Sequence, residues 1–210
     1  MTSLLILGAT GAVGARAVEA ALADPRVSRV VATTRRPLAP REGLDNRVLD
    51  FTALDPDDEA WRVDAVACAI GTTRSIAGSA AGFREIDHDV PVQIAGYTRA
   101  AGATSYALVT SVGADPHSRN FYLRVKGETE RDLNAIGFDS LTLIRPSGLV
   151  GGVRTRPANL GDHLAEASRA VRGLIPRRYR PVHVDRVARA LVDSAVTAAP
   201  GVTVRESESL

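Results

Sequence analysis

Short apolar runs alternate along the chain with stretches whose apolar positions recur at helical spacing, the pattern of βαβ units folding onto a parallel sheet. Leu4 to Leu7 reads as a fully buried first strand, and the alanine-rich stretch Val13 to Leu22 as the first helix, ended by Asp24-Pro25. Val30 to Thr33 predicts a second strand, Arg47 to Asp50 a short third, and Val63 to Ile70 a fourth that stops at Gly71. A helix follows over Phe83 to Ala101, with Pro91 either kinking it or sitting in its first turn. Tyr106 to Thr110 predicts a fifth strand, Asn120 to Ile136 a helix closed by Gly137, and Leu141 to Ile144 a sixth strand stopped by Pro146. Gly148 to Arg180 is rich in Gly, Pro and Arg, with one helical segment around His163 to Val171. Val184 to Val196 predicts a last helix and Val202 to Val204 an edge strand. No repeat or linker divides the 210 residues, so the expectation is one doubly wound α/β domain over residues 1–210.

Composition narrows the function classes. At 45% hydrophobic and 24% charged, the chain is neither disordered nor collagen-like nor a disulfide-stapled mini-protein. A membrane span needs roughly 18 apolar residues in a row, and every apolar run here is interrupted sooner. The N-terminus has no basic lead and too short an apolar stretch for a signal peptide. The one cysteine, Cys68, lies in an apolar run and reads as a buried small hydrophobe, with no metal cluster around it. The expected compartment is therefore cytoplasmic. The pI is near 9.0, but the net charge is only +2 and acids are interspersed with the arginines, which argues against a nucleic-acid partner. Of 26 basic residues a single one, Lys126, is lysine.

Gly8-Ala9-Thr10-Gly11-Ala12-Val13-Gly14 falls between the first strand and the first helix. In that position the first glycine turns the chain out of the strand, the second lets backbone approach a diphosphate, and the third lets helix and strand pack closely. The helix N-terminus adds unpaired N–H donors and a partial positive charge. Placement, more than the string itself, points to a dinucleotide. The second strand ends Thr33-Thr34-Arg35-Arg36 without an acid to bind a ribose 2′-hydroxyl. A carboxylate would repel a 2′-phosphate and a guanidinium would grip it, so Arg35 and Arg36 favour NADP(H). Asp50 and Phe51, closing the third strand, are placed for the adenine.

Tyr122 and Lys126 stand at i and i+4, on one face of a helix. Where a plain surface cation would serve, this chain uses arginine; its lone lysine sits where a compact point charge is needed. Reduction of a carbonyl by hydride needs a proton donor to the developing alkoxide, and an ammonium beside a phenol favours the phenolate for the reverse step. Thr110-Ser111 leaves the fifth strand, so a hydroxyl can reach the substrate oxygen from the sheet's C-terminal edge. Ser111 is the first choice and Thr110 the second.

With these parts assembled, the chain resembles the short-chain dehydrogenase/reductase superfamily over essentially its whole length. More narrowly it is similar to the Tat-interacting-protein-type oxidoreductases and NmrA-like NAD(P)H-binding proteins of the atypical branch. The strings that carry the likeness are Cys68-Ala69-Ile70-Gly71-Thr72-Thr73-Arg74, Ser111-Val112-Gly113-Ala114-Asp115 and Asn120-Phe121-Tyr122-Leu123-Arg124-Val125-Lys126-Gly127-Glu128. The resemblance implies a Rossmann fold with strand order 3-2-1-4-5-6 and Ser111, Tyr122 and Lys126 as the catalytic set. It also implies cofactor contacts from Ala69, Ile70, Gly71, Thr72 and Lys126, with Pro146 near the nicotinamide end and His183 structural. Two departures stand out: Asp87 occupies the place of a frequent asparagine, and the substrate-side insertion, residues 148–183, is short. The implied function is NADPH-dependent reduction of a small molecule. The runner-up is an NADP(H)-sensing protein with little catalysis, in which case a protein partner enters.

Overall fold

The computed structural model describes residues 1–151 and 176–210. β1 (Thr2–Leu7), α1 (Ala12–Ala23), β2 (Val27–Thr34), β3 (Leu44–Val48) and β4 (Ala65–Cys68) open the chain. They are followed by α2 (Arg74–Ala77), α3 (Ala80–Arg84), a π-helical turn (Glu85–Asp89), α4 (Val90–Ala100), β5 (Ser105–Val109), α5 (Phe121–Ile136) and β6 (Ser140–Arg145). β7 (Leu149–Val150), β8 (Val182–His183), α6 (Val184–Thr197) and β9 (Gly201–Glu206) complete the described elements. The central sheet runs β3-β2-β1-β4-β5-β6-β9 with every neighbouring pair parallel, and β7 pairs with β8 apart from it. This is a Rossmann-type doubly wound sheet: the expected six-strand order is present, and β9 extends it beside β6.

Alternation along β1 divides the core. Leu4 and Ile6 join Val13, Ala17, Val187 and Leu191 on the side of α1 and α6, whereas Leu5 and Leu7 join Trp61, Ile94, Leu108 and Leu133 on the side of α4 and α5. With both faces covered, the inner strands are unbroken apolar runs, which is why they were readable. The helical segment expected around His163 to Val171, and most of the 148–183 insertion, lie outside the described residues.

β2 starts earlier than the sequence reading has it, at Val27, and β4 is shorter, Ala65–Cys68; two further differences bear on the site. β3 spans Leu44–Val48, not Arg47 to Asp50. Among the described residues it is an edge strand paired only with β2, and the chain leaves the sheet where the Asp50 carboxylate accepts from the Thr52 amide (2.9 Å) and hydroxyl (2.7 Å). The single helix expected over Phe83 to Ala101 is instead α3, a π-turn and α4 in succession, with Pro91 in the first turn of α4. Proline has no N–H to give the Asp87 carbonyl four residues back, and the Thr129 hydroxyl donates to that carbonyl at 2.9 Å.

The helix bearing Tyr122 is fixed at three points. Asn120 caps it by accepting from the amides of Tyr122 (3.0 Å) and Leu123 (3.3 Å), and Gly137 ends it in the left-handed region at φ 80°. At Gly127 a side chain would come within 2.2 Å of Asp115 and Pro116 backbone, so the loop leaving β5 lies directly on α5. The Asp115 amide donates to the Leu123 carbonyl across this contact at 3.1 Å.

Candidate functional site

A cavity of about 770 Å³ opens at the C-terminal edge of the sheet, where the strand order reverses between β1 and β4. Its lining includes Gly8, Thr10 and Gly11 from the glycine loop, Arg35 after β2, Asp50 and Phe51 after β3, and Ala69, Ile70 and Gly71 after β4. Thr33, Thr34, Val48 and Ile86 also line it, none of which the sequence reading chose. The strand-end threonines had a signal, since the last inward residues of a parallel strand face such a crevice.

The glycine loop has the build that a phosphate group requires. Gly11 stands at the N-cap of α1 with no side-chain cap, and the helix has no acid in its first turn. The first-turn N–H groups and the positive end of the helix are thus free of a competing carboxylate. Gly14 is buried, and a methyl there would meet the Gly8 carbonyl oxygen at 2.0 Å. Ala12 and Val13 belong to the helix and are not part of the cavity lining. The Thr33 hydroxyl is buried, has no hydrogen-bond partner among the described residues and belongs to a lining residue, so it is a polar group that a ligand could satisfy. These features fit a bound dinucleotide.

Of the two arginines, only Arg35 lines the cavity; Arg36 is exposed and its carbonyl accepts from the Thr34 hydroxyl at 2.7 Å. The chain has turned away from the sheet by then, so Arg36 is not grouped with Arg35. Thr72 and Pro146 likewise fall outside the lining. The Thr72 amide points the other way, donating to Asp87 Oδ2 at 2.9 Å.

Tyr122 and Lys126 do share a face of α5, but their environments differ sharply. Tyr122 is 39% exposed, its ring 5.7 Å from that of the buried Phe83. Lys126 is buried, and its Nζ lies 2.7 Å from Oδ1 of the fully buried Asp87. A methyl added at Gly71 would sit 3.5 Å from that Oδ1 and 3.7 Å from the Nζ, so the ion pair lies directly behind a cavity-lining residue. Burial drives the Asp87 carboxyl above its ordinary value, only partly offset by the ammonium. For Lys126, burial is the largest influence and pulls downward, but Asp87, Tyr122 and Cys68 together outweigh it and the ammonium is held above its ordinary value. Ser111 is half-buried just beyond β5, and its hydroxyl donates to the Val112 carbonyl at 3.3 Å; the Thr110 hydroxyl is buried. None of Ser111, Tyr122 and Lys126 lines the cavity itself. Cys68 is buried and free, as its apolar surroundings suggested.

Comparison with known proteins follows the same lines. A family model described as NAD(P)H-binding matches residues 8–198. The mitochondrial protein fmp52 of Emericella nidulans is 34% identical over 168 residues, 75% of this chain and 72% of its own. Its namesake in Aspergillus fumigatus is 30% identical over 226 residues, 100% of this chain and 94% of its own, and that of Saccharomyces cerevisiae 32% identical over 204 residues, 91% and 87%. Among solved structures, MoeE5 in complex with UDP-glucose and NAD superposes with a TM-score of 0.73 at 20% identity, covering 96% of this chain and 74% of its own. A UDP-N-acetylglucosamine 4-epimerase from Bacillus cereus gives 0.70 at 15% identity, covering 98% and 78%. These likenesses are of fold. The relatives' names correct one expectation: proteins called mitochondrial overturn the cytoplasmic assignment. That assignment rested on the pattern of the first residues and on cysteine usage, and neither separates cytoplasm from mitochondrion.

Proposed function

The chain belongs to the NAD(P)H-binding family, and from that premise we propose that it is an NADPH-dependent oxidoreductase reducing a carbonyl or related small molecule. Ser111, Tyr122 and Lys126 form its catalytic set in this reading. The observation that carries it is Lys126. The chain's one lysine lies a helical turn beyond Tyr122 and directly behind Gly71, at the wall of the cavity that begins in the glycine loop.

When bound, the dinucleotide supplies the hydride. The uncapped start of α1 holds its diphosphate, and Arg35 takes a 2′-phosphate through charged hydrogen bonds. Tyr122, partly exposed on α5, gives its proton to the substrate oxygen as negative charge develops there. Ser111, at the end of β5, donates a hydrogen bond to the same oxygen. Lys126 holds a positive charge one turn from the phenol and orients the cofactor's ribose. An NAD(P)H-binding fold accommodates either nicotinamide cofactor; Arg35 and the absence of an acid at the end of β2 favour the phosphorylated one.

Two measurements test this reading. Consumption of NADPH against a panel of aldehydes, ketones and quinones should reveal turnover that Tyr122→Phe lowers by roughly 10²–10⁴-fold while cofactor affinity stays unchanged. Tight NADPH binding without turnover on any of the panel would favour the sensing role. Separately, Arg35→Ala should remove about 1.5–3 kcal/mol from NADPH binding, a loss of roughly tenfold to a hundredfold, with little effect on NADH. Equal affinity of the unmutated protein for NADPH and NADH would overturn the cofactor assignment.

A further inference from the structure

The π-turn is where the sequence pattern and the fold part company, and such turns inside α-helices often mark functional positions. Asp87 lies in it and makes contacts to two separate parts of the site. Its Oδ1 pairs with the Lys126 ammonium on α5 at 2.7 Å, while its Oδ2 accepts from the Thr72 amide just after the cavity-lining Gly71, at 2.9 Å. Its carbonyl is held in turn by the Thr129 hydroxyl, one turn further along α5. The carboxylate therefore joins the cavity wall to the helix carrying Tyr122 and Lys126, and its side chain has no exposure to solvent.

We propose that Asp87 is a positioning residue of this site: by its charge it keeps the buried Lys126 ammonium in place behind Gly71, and by its second oxygen it fixes the cavity wall against that ammonium. An asparagine would preserve the shape and the bond from Thr72, yet it could not neutralise a buried cation. The groups that face Lys126 are Asp87 from the π-turn, Tyr122 from α5 itself and Cys68 from the end of β4. Burial works against the ammonium, and Asp87 is the largest influence in its favour. With the carboxylate gone, burial is opposed only by the weaker influences of Tyr122 and Cys68, and the amine gives up its proton at lower pH. The proposal rests on the oxidoreductase reading in taking the dinucleotide as the cavity's ligand and Lys126 as a group that acts on it.

Because the chain has one lysine, the amine can be followed alone, by the Nζ resonance of ¹⁵N-lysine-labelled protein. In Asp87→Asn the Nζ titration should move down by about one pH unit or more, a tenfold or larger loss of proton affinity. NADP⁺ affinity, measured by calorimetry on the same samples, should fall about tenfold above the new midpoint and recover below it, where the ammonium returns. A purely structural Asp87 would shift the Nζ titration through the ion pair but leave NADP⁺ affinity and its pH dependence unchanged. An unmoved Nζ titration in the folded variant overturns the proposal, and so does a moved titration with NADP⁺ affinity unaltered at every pH. If Asp87→Asn does not fold, Asp87→Glu serves: it keeps the charge but displaces the ammonium by about one methylene, and NADP⁺ affinity should still fall severalfold. Unchanged affinity in Asp87→Glu overturns the proposal. Absence of turnover in the unmutated protein, with the Nζ and NADP⁺ results as expected, counts against the oxidoreductase reading alone.

Discussion

Lys126→Met should destabilise the folded protein by about 3–5 kcal/mol at neutral pH, because it leaves a buried carboxylate without its counter-charge. Exposed ion pairs elsewhere in the chain, such as Arg16 with Glu19, are worth at most about 1 kcal/mol. The difference lies in burial: the Lys126 side chain is 6% exposed and that of Asp87 0%. The sign with pH follows from the direction in which Asp87 is shifted. Its folded carboxyl titrates above the ordinary value of 3.8, so its contribution to stability is complete below that value and is lost as pH rises through the elevated one. Removing Lys126 raises it further. The gap in Tm between the parent and Lys126→Met should therefore be widest near pH 7 and narrow on acidification toward pH 4.5. Adding Asp87→Asn to Lys126→Met should recover most of the loss at neutral pH. A gap that does not change with pH would show that the loss comes from packing and not from an unpaired charge. Because Lys126 is buried, Lys126→Arg would test overpacking as well as charge.

Gly14→Ala should fail at the fold and at the cofactor together. The added methyl would lie 2.0 Å from the Gly8 carbonyl oxygen and 2.6 Å from its carbon, both backbone, so no side-chain rotation can relieve the contact. α1 must lift from the end of β1 or the Gly8 turn must shift. Overpacking of this kind costs about 1–3 kcal/mol, which for a chain of this size lowers Tm by roughly 2–4 °C per kcal/mol. Either movement displaces the first-turn N–H groups from the place where the glycine loop presents them. NADPH affinity should accordingly fall at least tenfold, and calorimetry alongside thermal melts reads both effects. Normal affinity in a destabilised Gly14→Ala would mean that the diphosphate is held elsewhere.

Much of this was readable in advance, for identifiable reasons. β1 and β4 are buried on both faces, and such strands appear as unbroken apolar runs whatever their surroundings. The phenol and the ammonium share a face because helical periodicity alone fixes the i, i+4 relation. What could not be read depends on partners distant in sequence. β3 has one neighbour and half-exposed side chains, so its pattern is weak, and its end is set by the Asp50 turn. Arg35 and Arg36 are equivalent in composition; the direction in which the chain leaves β2 separates them. The π-turn has no periodic signature, and so Asp87 stood out only as a departure from an expected asparagine. Its pairing with Lys126 needed the fold. Ser111 was placed by position along β5, and the structure leaves its hydroxyl turned to its own neighbour's carbonyl.

The seventh strand also bears on how this chain is made. Among the described residues β9 pairs with β6 alone, and residues 146–200 separate the two in sequence, so a growing chain holds β6 without its final partner until that stretch is made. At about 5–20 residues per second the interval lasts on the order of several seconds. During it, a strand of six residues, five of them buried in the finished protein, offers unpaired N–H and C=O groups to any neighbour. Helix α6, which covers the same side of the sheet as α1, emerges within this interval but cannot satisfy those groups. A chaperone that shields bare strand edges would therefore find its substrate in the nascent chain between Arg145 and Gly201, and lose it once β9 docks.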